Sequence, residues 1–248
     1  MAATIISRVI GLLYRSPLGE TIGNEGLGYY STASNLYTIL LLISSYSIPM
    51  AVSKIVSERL ALKEYRNAHR VFRGALLYAV IVGGIAALVA FFGGKFLLPY
   101  NQQNAILALR VLAPTIFFSA ILGVLRGYFQ AHSTMMPTSI SQIIEQIFNA
   151  AFSIGAAWFF IQQFATNDTE RAKFGAAGGT LGTGAGVLAG LCFMLLVYGV
   201  NRKSILRKAA KDTRHREESY REIFQVLFLM VTPVIFTTFI YNLSLIHI

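Results

Sequence analysis

Two arginines, Arg8 and Arg15, stand seven residues apart near the start of the chain, in a run that is otherwise mostly apolar. In an α-helix that spacing is two turns, so both side chains fall on one face, and Gly11 between them leaves room there for a ligand. A second polar set lies in the apolar stretch 138–164. Ser141, Gln142, Glu145, Gln146, Asn149 and Ser153 share one side of a helix, and Ile140, Ile143, Ile144, Ile147 and Phe148 take the other. Arg126 lies shortly before this stretch. Guanidinium groups hold phosphate and carboxylate oxygens by charge-assisted, often bidentate hydrogen bonds. Glu145 suits either a proton site or a partner for Arg8 or Arg126. Arg8, Arg15, Arg126, Gln142, Glu145 and Asn149 are therefore the candidate ligand-binding set. The simpler alternatives remain open: either terminal arginine can snorkel to a membrane interface, and the polar stripe can bind neighbouring helices.

Bond-making chemistry has no comparable support. GxSxG, HExxH and P-loop motifs are absent. Gly182-Thr183-Gly184-Ala185-Gly186 lies in an apolar helical stretch with no strand before it. His69, His132, His215 and His247 lie in different segments, and Cys192 is the only cysteine. No enzyme, metal or cofactor is expected, although a coupling ion or the membrane potential could drive a cycle.

The elements that must position these residues are membrane spans. The 248 residues are 55% hydrophobic and 13% charged, with a mean hydropathy of +0.58. An ordinary soluble domain has about 25% charged residues. So few charges exclude a disordered chain and disfavour a soluble globular one. A helix needs about 20 apolar residues to cross a bilayer. About seven such stretches are readable, at 1–18, 28–52, 71–92, 105–129, 138–164, 174–200 and 222–248. The expected class is an all-α polytopic transmembrane bundle. Pro49, Pro114 and Pro233 lie inside apolar runs and are expected to kink or end helices.

The net charge of +10 is distributed by position. The connection 53–73 carries Lys54, Arg59, Lys63, Arg66, Arg70 and Arg73. The connection 200–222 carries Arg202, Lys203, Arg207, Lys208, Lys211, Arg214, Arg216 and Arg221. Both fall on one side of a seven-span topology, with Arg15, Lys95, Arg171 and Lys173 on the other. A cytoplasmic excess of Lys and Arg orients membrane proteins, so the N-terminus is expected in the cytoplasm, and nucleic acid is not an expected partner. Gly178, Gly182, Gly186 and Gly190 recur every four residues, which places them on one helical face for close helix packing.

Three strings resemble a known family. They are Ile6-Ser7-Arg8-Val9-Ile10-Gly11-Leu12-Leu13-Tyr14-Arg15 with Gly26-Leu27-Gly28-Tyr29-Tyr30; Ser47-Ile48-Pro49-Met50-Ala51; and Leu125-Arg126-Gly127-Tyr128-Phe129-Gln130 with Met136-Pro137-Thr138 and Ser141-Gln142-Ile143-Ile144-Glu145-Gln146. Together they resemble the polysaccharide-biosynthesis branch of the multidrug/oligosaccharidyl-lipid/polysaccharide exporter superfamily. The nearest group is that of stage V sporulation protein B, related to lipid II flippases. The resemblance implies two six-helix lobes around a central cavity, with two extra helices. On that basis residues 1–200 form the first lobe, 201–222 a basic cytoplasmic loop, and 223–248 the first helix of the second lobe, so the chain is expected to be part of a longer transporter. In lipid II flippases the first helix carries a Ser-Arg pair and, six residues after that Arg, an Arg-Asp pair. Ser7-Arg8 matches the first pair. In the second, Tyr14 stands in place of Arg and Arg15 in place of Asp.

The function the resemblance implies is a flippase in the bacterial cell membrane for an undecaprenyl-pyrophosphate-linked saccharide, a peptidoglycan or polysaccharide precursor, working by alternating access. Its expected partners are that lipid, the surrounding membrane lipids and the remainder of its own chain. Two other readings stand beside it: a cation-coupled multidrug antiporter of the same superfamily, and a non-transporting membrane scaffold for envelope or spore synthesis.

Overall fold

The computed structural model describes residues 2–45, 47–98, 100–212 and 217–246; the side chains of residues 2–4, Arg8, 234–235 and 238–246 lie outside the described set. The described residues form α1 (Ala2–Leu13), α2 (Arg15–Ser44), α3 (Ile48–Ala61), α4 (Tyr65–Leu97), a 3-10 segment (Tyr100–Ala105), α5 (Ile106–Ala131), α6 (Met136–Phe164), α7 (Asp168–Lys211) and α8 (Tyr220–Ile246). Among them five helical stretches are long and apolar enough to cross a membrane: Arg15–Ala61, Tyr65–Leu97, Tyr100–Ala131, Met136–Phe164 and Asp168–Lys211. This is a multi-pass membrane bundle.

The first two expected spans are built with local breaks. Helical hydrogen bonding runs through the α1–α2 junction, with Tyr14 N donating to Ile10 O (3.2 Å) and Leu18 N to Tyr14 O (3.1 Å). The chain then reverses inside α2 at Gly23, whose φ of 74° and ψ of 173° suit a residue without a Cβ. Side-chain atoms of Leu18 lie near Gly179 and those of Ile22 near Gly175, Gly26 lies near Ala172, and Tyr30 returns to Gly179. One arm of α2 thus climbs along α7 and the other descends. A second break at Ser45–Ser47 precedes α3, where Pro49 occupies the first turn, a position that needs no amide donor. Pro114 and Pro233, by contrast, lie inside α5 and α8 without ending either helix.

Among the described residues the two basic connections are mostly helical rather than loops. α3 continues to Ala61 and α4 begins at Tyr65, so Lys54, Arg59, Arg66, Arg70 and Arg73 all ride on helices. α7 has 44 residues, about 66 Å at 1.5 Å per residue and roughly twice the hydrocarbon thickness. Its last turns, through Lys208 and Lys211, extend past the apolar run, because Lys, Arg and Ala are strong helix formers.

Burial separates two cores. One joins α3, α4, α5, α7 and α8 around Val52, Phe72, Leu125, Tyr128, Met194 and Leu227. The other joins α2, α4, α5, α6 and α7 around Leu18, Ile22, Leu109, Leu112, Ile116 and Ala176. Large apolar side chains on the periphery, including Leu77, Ile81, Phe92, Trp158 and Leu196, are exposed.

α6 and α7 are antiparallel and close. A Cβ on Gly178 would lie 2.5 Å from Ala156 O, one on Gly182 2.1 Å from Ser153 Oγ, and one on Gly186 2.4 Å from Glu145 O. Gly190 has more space, with Ser141 O at 3.4 Å. The stripe thus holds the polar face of α6 against backbone, and it sets where Glu145 and Asn149 stand.

Candidate functional site

Arg126, near the end of α5, is the centre of the site. Its Nε donates to Ser141 Oγ at 2.9 Å and its Nη2 to Glu145 Oε2 at 2.7 Å. Ser141 Oγ in turn donates to Thr138 O at 2.8 Å. Ser141 and Glu145 are one helical turn apart on α6, so a single guanidinium fork spans both. Gly190 on α7 lies beside it: a Cβ there would be 3.5 Å from Arg126 Nη2.

This network borders a cavity of about 570 Å³ lined by Ser7, Gly11, Leu12, Tyr14, Arg15, Arg126, Gln142, Glu145, Gln146 and Asn149. Five of the six candidate residues from the sequence, Arg15, Arg126, Gln142, Glu145 and Asn149, therefore meet around one space. The sixth, Arg8, has its side chain outside the described residues; its helical neighbours Ser7 and Gly11 line the cavity. Arg15 is exposed and lines it, and the first arm of α2 continues beyond it to Ile22.

The polar stripe of α6 divides between two tasks. Gln142, Glu145 and Gln146 face the cavity, while Ser153 Oγ turns to α7 and donates to Gly179 O at 2.8 Å. Asn149 serves both: it lines the cavity and its Oδ1 lies 3.0 Å from Ser153 Oγ. Interhelical bonding and cavity lining thus coexist on one face.

A second cavity, about 370 Å³, lies across the network and is lined by residues that include Tyr37, Ser119, Gln130 and Thr138. Arg126, Gln142 and Glu145 line both cavities. Sequence reasoning missed this one, since Tyr37, Ser119 and Thr138 come from three helices and form no periodic pattern. It also missed Tyr14, whose hydroxyl lies 3.2 Å from that of Tyr30 across the bend of α2.

At the basic end, acidic residues of the α7–α8 linker hold the α3–α4 hairpin. Arg59 Nη2 lies 2.7 Å from Glu218 Oε1, and Glu217 pairs with both Arg66 and Arg70. Arg66 N donates to Asp212 Oδ2 and Glu218 N to Asn67 Oδ1, each at 3.1 Å. Desolvation raises the Glu218 carboxyl above its ordinary range, outweighing the opposite effect of Arg59.

The polysaccharide biosynthesis protein family model matches residues 1–215. Lipid II flippase MurJ of Bacillus subtilis (strain 168) is 26% identical over 243 residues, which covers 94% of this chain and 44% of that protein. Stage V sporulation protein B of the same organism is 25% identical over 251 residues, covering 98% of this chain and 46% of that protein. The chain thus spans less than half the length of these curated relatives. Among solved structures, a MOP superfamily transporter from Pyrococcus furiosus, described as having a binding pocket of reversed polarity, superposes with a TM-score of 0.72 at 15% identity. It covers 99% of this chain and 52% of that one. A MATE protein in complex with Br-NRF gives a TM-score of 0.64 at 16% identity, over 99% of this chain and 54% of its own.

Proposed function

This chain belongs to the polysaccharide biosynthesis protein family, and from that premise we propose that it is the first lobe of a flippase for an undecaprenyl-pyrophosphate-linked saccharide. The observation that carries the reading is the cavity chemistry. Arg15 and Arg126 border one space together with the amides of Gln142, Gln146 and Asn149, against a single carboxylate, Glu145. The described charges lining it are net positive, which suits a pyrophosphate. A cationic drug would be repelled by the same wall. The headgroup enters the polar cavity, and the prenyl tail stays in lipid beside the exposed apolar faces of the bundle. Arg8, on the same helix as Ser7 and Gly11, is proposed to face the headgroup as well. Rocking of this lobe against a second one exposes the cavity to each side of the membrane in turn.

The α3–α4 and α7–α8 ends lie on the cytoplasmic side in this proposal, as do the lysines and arginines clustered there.

The test is complementation of a bacterial strain that lacks its own lipid-linked saccharide flippase, using the intact gene. Arg8→Gln, Arg15→Gln and Arg126→Gln should each abolish growth rescue at wild-type membrane levels. Full rescue by the Arg15 and Arg126 variants, or transport of cationic drugs by the wild type, would overturn the reading.

A further inference from the structure

Arg126 is an anion-binding group whose fork is already engaged. Its Nη2 meets Glu145 at 2.7 Å and its Nε meets Ser141 at 2.9 Å. The pair is mostly shielded, with side-chain exposures of 15% and 21%. It stands between two cavities, since Arg126 and Glu145 line both. An anion entering either space meets a guanidinium with a carboxylate beside it. Two anions on one half-buried guanidinium repel each other, a cost that Arg15, exposed in the first cavity, offsets only in part.

We propose that Glu145 is an internal counter-ion that competes with the anionic headgroup for Arg126, and that headgroup binding is accompanied by uptake of one proton at Glu145. The inference rests on the anionic-headgroup reading above and adds its regulation. With Glu145 ionised, Arg126 is neutralised and held against α6. When a phosphate oxygen takes the Nη2 edge, the carboxylate loses its partner. A proton from bulk solvent, reaching it through the cavity, then neutralises it and removes one negative charge from the site; the pyrophosphate's remaining charge is met by Arg126 and Arg15. Among the described residues, the charged or titratable groups bordering this space are Arg126 on α5, Tyr14 at the α1–α2 junction, and Arg15 and Tyr37 on α2. α7 presents glycines, α1 presents Ser7, and Glu145 is the one carboxylate that α6 contributes. On the far side of the pair, Thr138 Oγ1 is buried, lines the second cavity and has no hydrogen-bond partner. It offers a hydroxyl to a ligand or side chain that moves across.

Linkage gives the direction. If binding takes up a proton, acid strengthens binding. The experiment measures affinity for farnesyl pyrophosphate, by calorimetry from pH 5.5 to 8.5, with the protein from the intact gene in nanodiscs. Wild type, Glu145→Gln and Arg15→Gln are compared. Glu145→Gln should bind about tenfold more tightly than wild type at pH 8.5, and the ratio should shrink toward one as pH falls. Titration of the probe itself cancels in that ratio. On the alkaline side of the probe's own last ionisation, buffers of different ionisation enthalpy report proton uptake by the wild type, so the result stands even if the variant folds poorly. Arg15→Gln should bind more weakly yet keep the pH dependence. Equal affinity of wild type and Glu145→Gln at every pH, with no proton uptake by wild type, overturns the counter-ion while leaving the site intact if Arg15→Gln weakens binding. No binding of farnesyl pyrophosphate by any of the three proteins overturns the site reading and the counter-ion together.

Discussion

Arg126 does what a lysine could not. Its planar fork reaches Ser141 and Glu145 at once, a full helical turn apart on α6. A lysine keeps the charge but supplies a point donor on a flexible stem. Arg126→Lys is therefore expected to fold and to lose transport by about tenfold or more, whereas Ser141→Ala, which removes one neutral acceptor, should cost less than the lysine. Initial rates of lipid-linked saccharide translocation in vesicles, normalised to protein, measure both; equal rates for Arg126→Lys and wild type would remove the fork from the account. Much of this set was legible in the sequence. Charged and amide side chains inside apolar runs must face protein or water, so Glu145, Asn149 and Arg126 declare themselves. Which of its possible partners Glu145 takes was not legible, since it depends on how α5 is set beside α6. Nor was Arg15's place inside the cavity, because the length of the helix beyond it depends on the turn at Gly23.

At the level of elements, glycines decide how near α6 and α7 approach. Gly182→Ala would put a methyl 2.1 Å from Ser153 Oγ and 2.6 Å from Asn149 O. That overpacking costs about 1–3 kcal/mol. Gly190→Ala meets nothing closer than 3.4 Å, so it should be tolerated. Thermal unfolding of the purified variants tests the contrast: a clear fall in Tm for the first and little for the second. A similar close approach joins α3 to α5, where a Cβ on Gly127 would lie 2.5 Å from Pro49 O. The four-residue glycine period of α7 is visible in the sequence, and so is the shorter pair Gly123 and Gly127, but the partner of that pair is a proline 78 residues before Gly127 in the chain. Helix extents were the least legible part. Charged residues were read as loop because they end apolar runs, yet helix propensity carries α7 to Lys211 once it leaves the bilayer.

Across the whole molecule, Asp212, Glu217 and Glu218 tie the start of α8 to the α3–α4 hairpin, so the helix that follows is anchored to the rest of the bundle. Glu218 is held there against its own preference, because its carboxyl is raised above the ordinary range by desolvation. A carboxyl raised in the folded state contributes stability at low pH and loses it as pH rises through the folded value. Glu218→Gln should therefore unfold at a Tm equal to or above wild type at neutral pH, with the advantage fading in acid; a Tm well below wild type at neutral pH would mean that the ion pair with Arg59 prevails. The most direct test of the central claim, that Arg15, Arg126 and the α6 amides enclose a wet passage for an anionic lipid head, is thiol labelling of the intact protein in membranes. With Cys192 changed to Ser, Gln146→Cys and Asn149→Cys should react with a membrane-impermeant maleimide, Ala157→Cys in the dry α6–α7 contact should not, and farnesyl pyrophosphate should slow the first two. Cavity cysteines that stay unlabelled, or that label equally with and without the pyrophosphate, would contradict the account.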